Sequence, residues 1–219
     1  MKKSLIISRY EEDLDWLKKH KDFKIIVYNK GSKLPDNNNF KVLDLENVGR
    51  ESHTWLYHIV ENYNNLDDIN IFLQGNIRDL NCMAYKNPND YIKKINKYGF
   101  AASRYALLGP LHWDWNVNIK NDIRYKNKWD NHEISRSSIG FRNFAKKLFP
   151  EIPLFVATSY SGCFAVKKEI IKQNKLIFYK KLLDILGKHK NPIEGHYMER
   201  LWCYMFTKNK PILDSFLDV

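Results

Sequence analysis

Short apolar runs, each broken off by polar residues or glycine, dominate the first 75 positions. Ser4–Ser8 (SLIIS), Phe23–Tyr28 (FKIIVY), Lys41–Leu45 and the run that opens INIFLQGNIRD at Ile69–Asp79 have the length and apolar content of buried strands. Between the first two, Glu11–Lys19 has an acidic first turn and inward-facing Leu14 and Leu17, which predicts a helix. A second helix is predicted from Asn47 and Gly49 onward, with Trp55, Leu56, Ile59, Val60 and Tyr63 on one face. The order strand, helix, strand, strand, helix, strand predicts an α/β fold with a mostly parallel central sheet flanked by helices.

In such a sheet, ligands bind in the crevice beyond the carboxyl ends of the strands. Arg9, Lys30, Arg50 and Arg78 fall at or just beyond those ends, with Tyr10 next to the first. Together they read as a positive rim suited to a diphosphate, or individually as solvated surface charge. Gln74, Gly75 and Asn76 end the fourth strand, and Gly75 allows close approach of the backbone to a ligand.

The net charge of +11 favours polyanionic partners: phosphates, nucleic acid or an anionic membrane surface. The excess is mostly lysine scattered among asparagines, which weakens the case for nucleic acid, and no nucleic-acid-binding module is visible. Cys82, Cys163 and Cys203 are far apart and form no CxxC pair, so neither a zinc site nor a disulfide framework is expected. No signal-peptide core or membrane-length apolar window occurs, and a soluble, cytoplasmic protein is expected.

The second half is less regular. Asn89–Tyr98, Ser138–Phe149 and Lys168–Gly187 read as helical, and Phe100–Ser103, Leu154–Thr158 and Gly162–Val166 as strands. Pro192 at the first helical position and Glu194 in the first turn begin a last helix running to about Phe206. Arg104–Asn131 has aromatic residues without periodicity and reads as a long loop with short strands. There Asp114 lies between Trp113 and Trp115. Indole faces and a carboxylate suit a sugar ring, although tryptophans packing a loop onto the core explain the same residues.

P-loop, GxGxxG and GxSxG patterns are absent, which counts against kinases, dinucleotide dehydrogenases and α/β-hydrolases. Ser161-Gly162-Cys163 is a weak nucleophile candidate without an identifiable base. Its small residues fit close packing or ligand approach better. Glu194 reads either as a capping carboxylate or as a functional one, and Glu199 and Arg200 point about 100° apart on the same helix.

Several blocks carry a resemblance: RYEEDLDWL at 9–17, YNKG at 28–31, NVGRESHTWLYHIV at 47–60, IFLQGNIRD at 71–79, SGCFAV at 161–166 and YMERLW at 197–202. Together they resemble a fungal, bacterial and viral domain family long described as of unknown function. That family is similar to GT-A glycosyltransferases, including a chlorovirus capsid-glycosylating enzyme domain. The resemblance implies one GT-A-like domain over 1–219, with a nucleotide-sugar half at 1–105 and an acceptor half at 106–219. It implies a nucleotide diphosphate sugar donor, UDP-linked for instance, and a glycan or glycoconjugate acceptor. Nucleic acid is not expected as a partner, and peripheral contact with an anionic membrane is allowed.

The resemblance also assigns roles. Glu194, six residues before Arg200-Leu201, would be the general base, with Asp114 as its competitor. Arg9, Tyr10, Lys30, Arg50, Gln74, Gly75, Asn76, Arg78, Ser161 and Gly162 would hold the donor. GT-A enzymes use a DxD motif to place Mn²⁺ or Mg²⁺ on the diphosphate. Gln74-Gly75-Asn76 stands there instead, leaving Asp79 as the carboxylate for a metal. Two other readings are a basic nucleic-acid-binding or processing protein, and a catalytically silent carbohydrate-binding relative.

Overall fold

The computed structural model describes residues 1–35, 39–77, 84–103, 105–113, 123–131, 133–135, 139–160 and 162–210. Strands β1 (Lys3–Arg9), β2 (Lys24–Asn29), β3 (Lys41–Asp44) and β4 (Ile69–Gln74) are parallel neighbours in the order β3-β2-β1-β4. Helix α1 (Arg50–Asn62) carries the chain from β3 across to the far side of β1.

The sheet is mixed. Strand β8 (Phe164–Lys167) lies antiparallel between β4 and β5 (Phe100–Ala102). A strand from the second half of the chain thus completes the first half's sheet. Two further strands, β6 (Ala106–Leu108) and β7 (Val156–Thr158), pair antiparallel as a separate ribbon.

Alternate side chains of the central strands enter two separate apolar layers. Ile6, Ile26, Tyr28, Phe72, Phe164 and Val166 join one layer, and Leu5, Ile7, Ile25, Val27, Ile71 and Ala165 the other. The pleat makes this split unavoidable, because successive side chains point to opposite faces. Runs apolar at every position are what a sheet covered on both sides requires. The first layer is packed by α1, by α4 (Phe141–Leu148), by α6 (Leu176–Leu186) and by α7 (Ile193–Thr207). The second is covered by α2 (Pro88–Lys94) and by a 3-10 turn at Asp15–Lys19. Helix α3 (Ile123–Asp130) and the short α5 (Lys168–Ile171) complete the helices of the described residues.

Three expectations change. The helix expected over Glu11–Lys19 is only the 3-10 turn, because its acidic residues bond groups outside a helical ladder, Glu12 and Asp13 locally and Glu11 at a distance. The Glu11 carboxylate accepts from the Ser32 amide and hydroxyl (2.7 and 2.6 Å), and Asp13 Oδ1 accepts from the Asp15 amide at 2.7 Å. Glu12 Oε2 accepts from the Tyr10 amide at 2.6 Å. Such side-chain bonds compete with helix formation. The segment expected to be loop and strands contains α3. Pro192 is the residue before the first helical position rather than the first, which puts Glu194 second in α7.

Phe72 lies at the centre of the first layer, fully buried against Trp55, His58 and Phe164 at ring separations of 5.0–5.9 Å. Phe72→Ala should lower unfolding stability by about 3–5 kcal/mol, read as a shifted denaturant midpoint. A loss under about 1 kcal/mol would mean that the core collapses into the space.

Candidate active site

Strand order reverses at β1: β2 follows on one side and β4 returns on the other. A crevice therefore opens beyond their carboxyl ends. A cleft of about 360 Å³ lies there, reached by Ser8 and Arg9 from β1, Lys30 after β2 and Gln74 from β4. Tyr10 and Glu12 line one side, Arg50 and Glu51 enter from the start of α1, and Lys190 and Asn191 come from the segment before α7. Four cations and two carboxylates face the cavity: Arg9, Lys30, Arg50 and Lys190 against Glu12 and Glu51.

Two of the cations are buried. Arg9 donates to the carbonyls of Glu12 (3.0 Å) and Ser32 (2.9 Å) and to Asn29 Oδ1 (2.7 Å), with the Glu11 carboxylate farther off at 3.8 Å. Lys30 Nζ donates to the carbonyls of Val48 and Arg50, each at 2.6 Å. Neutral carbonyls satisfy the donors but leave the charge, which acts strongly where water is excluded. Burial lowers the Lys30 ammonium from 10.5 to about 8, with Glu51 pulling the other way. The same ammonium clamps the turn in which Gly49 and Arg50 both take left-handed backbone angles (φ 63° and 53°). For arginine that is a strained conformation, held by its surroundings.

Arg50 Nη1 lies 3.0 Å from both ring nitrogens of His196, and His196 Nε2 lies 3.1 Å from Asn191 Oδ1. Burial first, then Arg50 and Arg200, hold the imidazole well below its usual range, so it is neutral. An amide oxygen only accepts, so Nε2 carries the proton and Nδ1 accepts from Arg50. Arg50 is thereby fixed between Glu51 and α7. Tyr10 is half exposed at the mouth, with Lys190 Nζ 5.7 Å from its ring centre.

Glu51 leads to a second carboxylate. A Cβ placed on Gly162 (φ 60°) would lie 3.4 Å from Glu51 Oε1 and 3.9 Å from Glu199 Cγ. Both acidic side chains thus flank this glycine, whose carbonyl accepts from Trp55 Nε1 at 3.0 Å. The Glu199 side chain is 21% exposed and 3.9 Å from Arg200. Burial pushes its carboxyl up to about 7, against the pull of Arg200.

Of the residues singled out from sequence, Arg9, Tyr10, Lys30, Arg50 and Gln74 are brought together in the cleft. Gly162 adjoins it through Glu51. Gly75 is buried, and its lack of a Cβ accommodates Glu12, whose Oε2 would be 2.8 Å away. Asn76 is exposed at the next position. Glu194 opens instead onto a different cavity with Lys147 and Lys188. Trp113 packs on Phe141 (5.0 Å) and donates to the Leu154 carbonyl (2.8 Å), so this indole belongs to the core. Cys163 is fully buried, which removes it as a nucleophile. Arg78, Asp79, Asp114 and Ser161 lie outside the described residues.

Sequence reasoning missed Glu51, Lys190, Asn191 and the partnership of Glu199 with Gly162. Only the adjacency of Glu51 to Arg50 could have signalled the first. As for a metal, Glu12 and Glu51 are the carboxylates in the described lining, the first bonded to the Tyr10 amide and the second 3.6 Å from Arg50 Nε. Among the described residues no group of three or more His, Cys, Asp or Glu could hold an ion. These residues do not fit a tightly held divalent cation.

The family described as "Protein of unknown function (DUF3431)" matches residues 5–214. The chain belongs to this family. No curated protein and no solved structure matches it. The match takes in β1 through α7 and therefore every residue of the DUF3431 cleft described above. No helix of the described residues is long and apolar enough to cross a membrane.

The glycines beside the cleft differ in what surrounds them. A Cβ on Gly31 would lie 1.6 Å from the Tyr10 carbonyl oxygen, a backbone atom, whereas on Gly75 the nearest atoms it meets belong to the Glu12 side chain, Oε2 at 2.8 Å and Cβ at 3.1 Å. Gly31→Ala should cost about 1–3 kcal/mol as an overpacking change, and Gly75→Ala clearly less. Thermal unfolding of the two variants checks the order, and equal losses would show that the Tyr10 turn yields freely.

Proposed function

We propose that this chain is a GT-A-type glycosyltransferase that takes a nucleotide diphosphate sugar, UDP-linked for instance, in the β1–β2–β4 cleft. The sugar passes to a hydroxyl of a glycan or glycoconjugate. The reading rests on the four cations, two of them buried, gathered against two carboxylates at the point where strand order reverses. A surplus of fixed positive charge in a partly dry cleft suits a diphosphate better than a neutral ligand. Tyr10 supplies a flat face at the mouth for a nucleobase.

The acceptor oxygen attacks the anomeric carbon, the bond from that carbon to the diphosphate oxygen breaks, and the diphosphate leaves with the electron pair. Arg50, Lys30, Arg9 and Lys190 stabilise the charge that develops on it, the electrostatic assistance that a metal gives in related chemistry. The acceptor proton needs a base whose own pKa lies near the working pH. Glu199 beside Gly162 suits this better than Glu194, which faces another cavity.

Calorimetry tests the donor site. UDP should bind saturably, and Arg50→Ala should weaken it about 10- to 100-fold, the worth of a charge-assisted hydrogen bond. Absence of binding to any nucleotide diphosphate, alongside salt-steep binding to oligonucleotides, would favour the nucleic-acid reading instead.

The proton acceptor has its own test. Glu199→Gln should lower the transfer rate about 10²- to 10⁴-fold while leaving UDP affinity within a few-fold. A base works deprotonated, so the wild-type rate should rise with pH through about 7 and level off above it. The stability effect has the opposite sign. The folded state holds the Glu199 proton up to about 7 and the unfolded chain only to about 4.5, so this group's contribution falls as pH rises between them. A slow Glu194→Gln enzyme beside a normal Glu199→Gln enzyme would return the role to Glu194.

A further inference from the structure

The cavity that holds Glu194 is larger than the cleft, about 480 Å³, and its chemistry differs. Phe144 and Leu148 of α4, Ile139 and Ile185 make it apolar, while Lys147 and Lys188 stand with Glu194 among its lining. A second cavity of about 380 Å³ shares Lys147 and Leu148 with it and continues along α6 past Phe178 and the exposed Ile177. Lys175 and Lys181 belong to that continuation. The two cavities meet at Lys147 and Leu148 and together offer a groove-like surface with an apolar floor and a basic rim, each within the size range of ligand pockets.

Charge on the rim is unbalanced. Lys188 pairs with Asp184 at 3.3 Å, but Lys147, Lys175 and Lys181 make no ion pair among the described residues. The groove also adjoins the donor cleft. Lys190 and Asn191 line the cleft, whereas Lys188, His189 and Pro192 of the same segment line the groove. One thickness of chain separates them.

We propose that this groove binds the lipid-phosphate portion of the acceptor, with a single hydrocarbon chain along Phe144, Leu148 and Phe178 and the phosphate at Lys147 and Lys181. The acceptor class is then a glycan carried on a lipid phosphate, presented to the donor across the 188–192 segment. The acceptor role rests on the glycosyltransferase reading, whereas the lipid-phosphate site does not. A neutral glycan would leave the apolar floor wet and the three lysines with only Glu194 as a carboxylate in the described lining. A free phosphate would leave the floor unused.

The test uses the full chain and alkyl phosphates below their micelle concentrations, followed by calorimetry. Each methylene buried on the floor multiplies affinity by up to about fourfold. Octyl, decyl and dodecyl phosphate should therefore bind progressively tighter. Inorganic phosphate and dodecyl maltoside should bind at least tenfold more weakly than dodecyl phosphate. Lys147→Glu combined with Lys181→Glu should weaken dodecyl phosphate at least tenfold and leave UDP affinity within about twofold. Both lysines are exposed, so an unchanged melting profile is expected. Equal binding of inorganic phosphate, no dependence on chain length, insensitivity to the double charge reversal, or adsorption to anionic vesicles without binding of the monomer would each overturn the site. Alkyl-phosphate binding in a protein that binds no nucleotide diphosphate would keep the site and overturn its acceptor role.

Discussion

Two apolar layers press on β1 from opposite sides, and the cleft exists because they do. Leu5 and Ile7 are held by one layer and Ile6 by the other, all fully buried. With β2 and β4 parallel on its two edges, β1 can neither slip nor rotate without exposing one set. Its register carries Ser8 opposite Tyr28 and Gln74, which brings the ends of three strands level. Arg9, Lys30 and Gln74 then converge with no long-range design beyond the pleat. The fold thus supplies the position of the cleft, and the segments that follow each strand supply its chemistry.

Charge in the cleft is preserved by the way it is tied down. Had Arg9 and Lys30 been bonded mainly to carboxylates, the field at the strand ends would be largely cancelled. Backbone carbonyls and the Asn29 side-chain oxygen take their hydrogen bonds instead, and among the described residues the nearest carboxylate to Arg9 stands off at 3.8 Å. The lowered Lys30 pKa follows from this: burial without a matched anion disfavours the charged form. An anionic ligand would favour the charged form and raise the Lys30 pKa again, so binding and protonation of Lys30 are coupled.

How far the sequence reveals this differs from element to element. FKIIVY and INIFL are legible because a strand covered on both sides needs apolar residues at every position. The rim of Arg9, Lys30 and Arg50 is legible because parallel strands end on one edge. The 11–19 segment is misread because helix propensity does not register that Glu11 reaches Ser32, 21 residues away. Strand β8 has the composition of a strand, but nothing local in FAVK says that it lies antiparallel between β4 and β5. The 188–192 segment is invisible as a site element, since its link to Arg50 runs through His196, 146 residues on. Pairings of that kind are properties of the closed fold and leave no periodicity behind.

Three glycines near the cleft show how one residue type serves separate ends. Gly31 is required by the Tyr10 carbonyl, and Gly75 by the Glu12 side chain that folds over it. Both are explained by the protein's own packing and say nothing about a ligand. Gly162 is different. Its nearest neighbours stand at ordinary contact distances of 3.4–3.9 Å, so space alone would admit a methyl group there. What sets it apart is its left-handed backbone, which aims the carbonyl at Trp55 and leaves the ground between Glu51 and Glu199 unfilled. Two acidic side chains flank this glycine, one in the cleft wall beside Arg50 and the other beside Arg200, and they differ in environment while sharing a neighbourhood. Surroundings that differ in this way separate the roles of paired acids. Burial pushes the Glu199 carboxyl up to about 7, so this side chain changes its protonation near neutral pH.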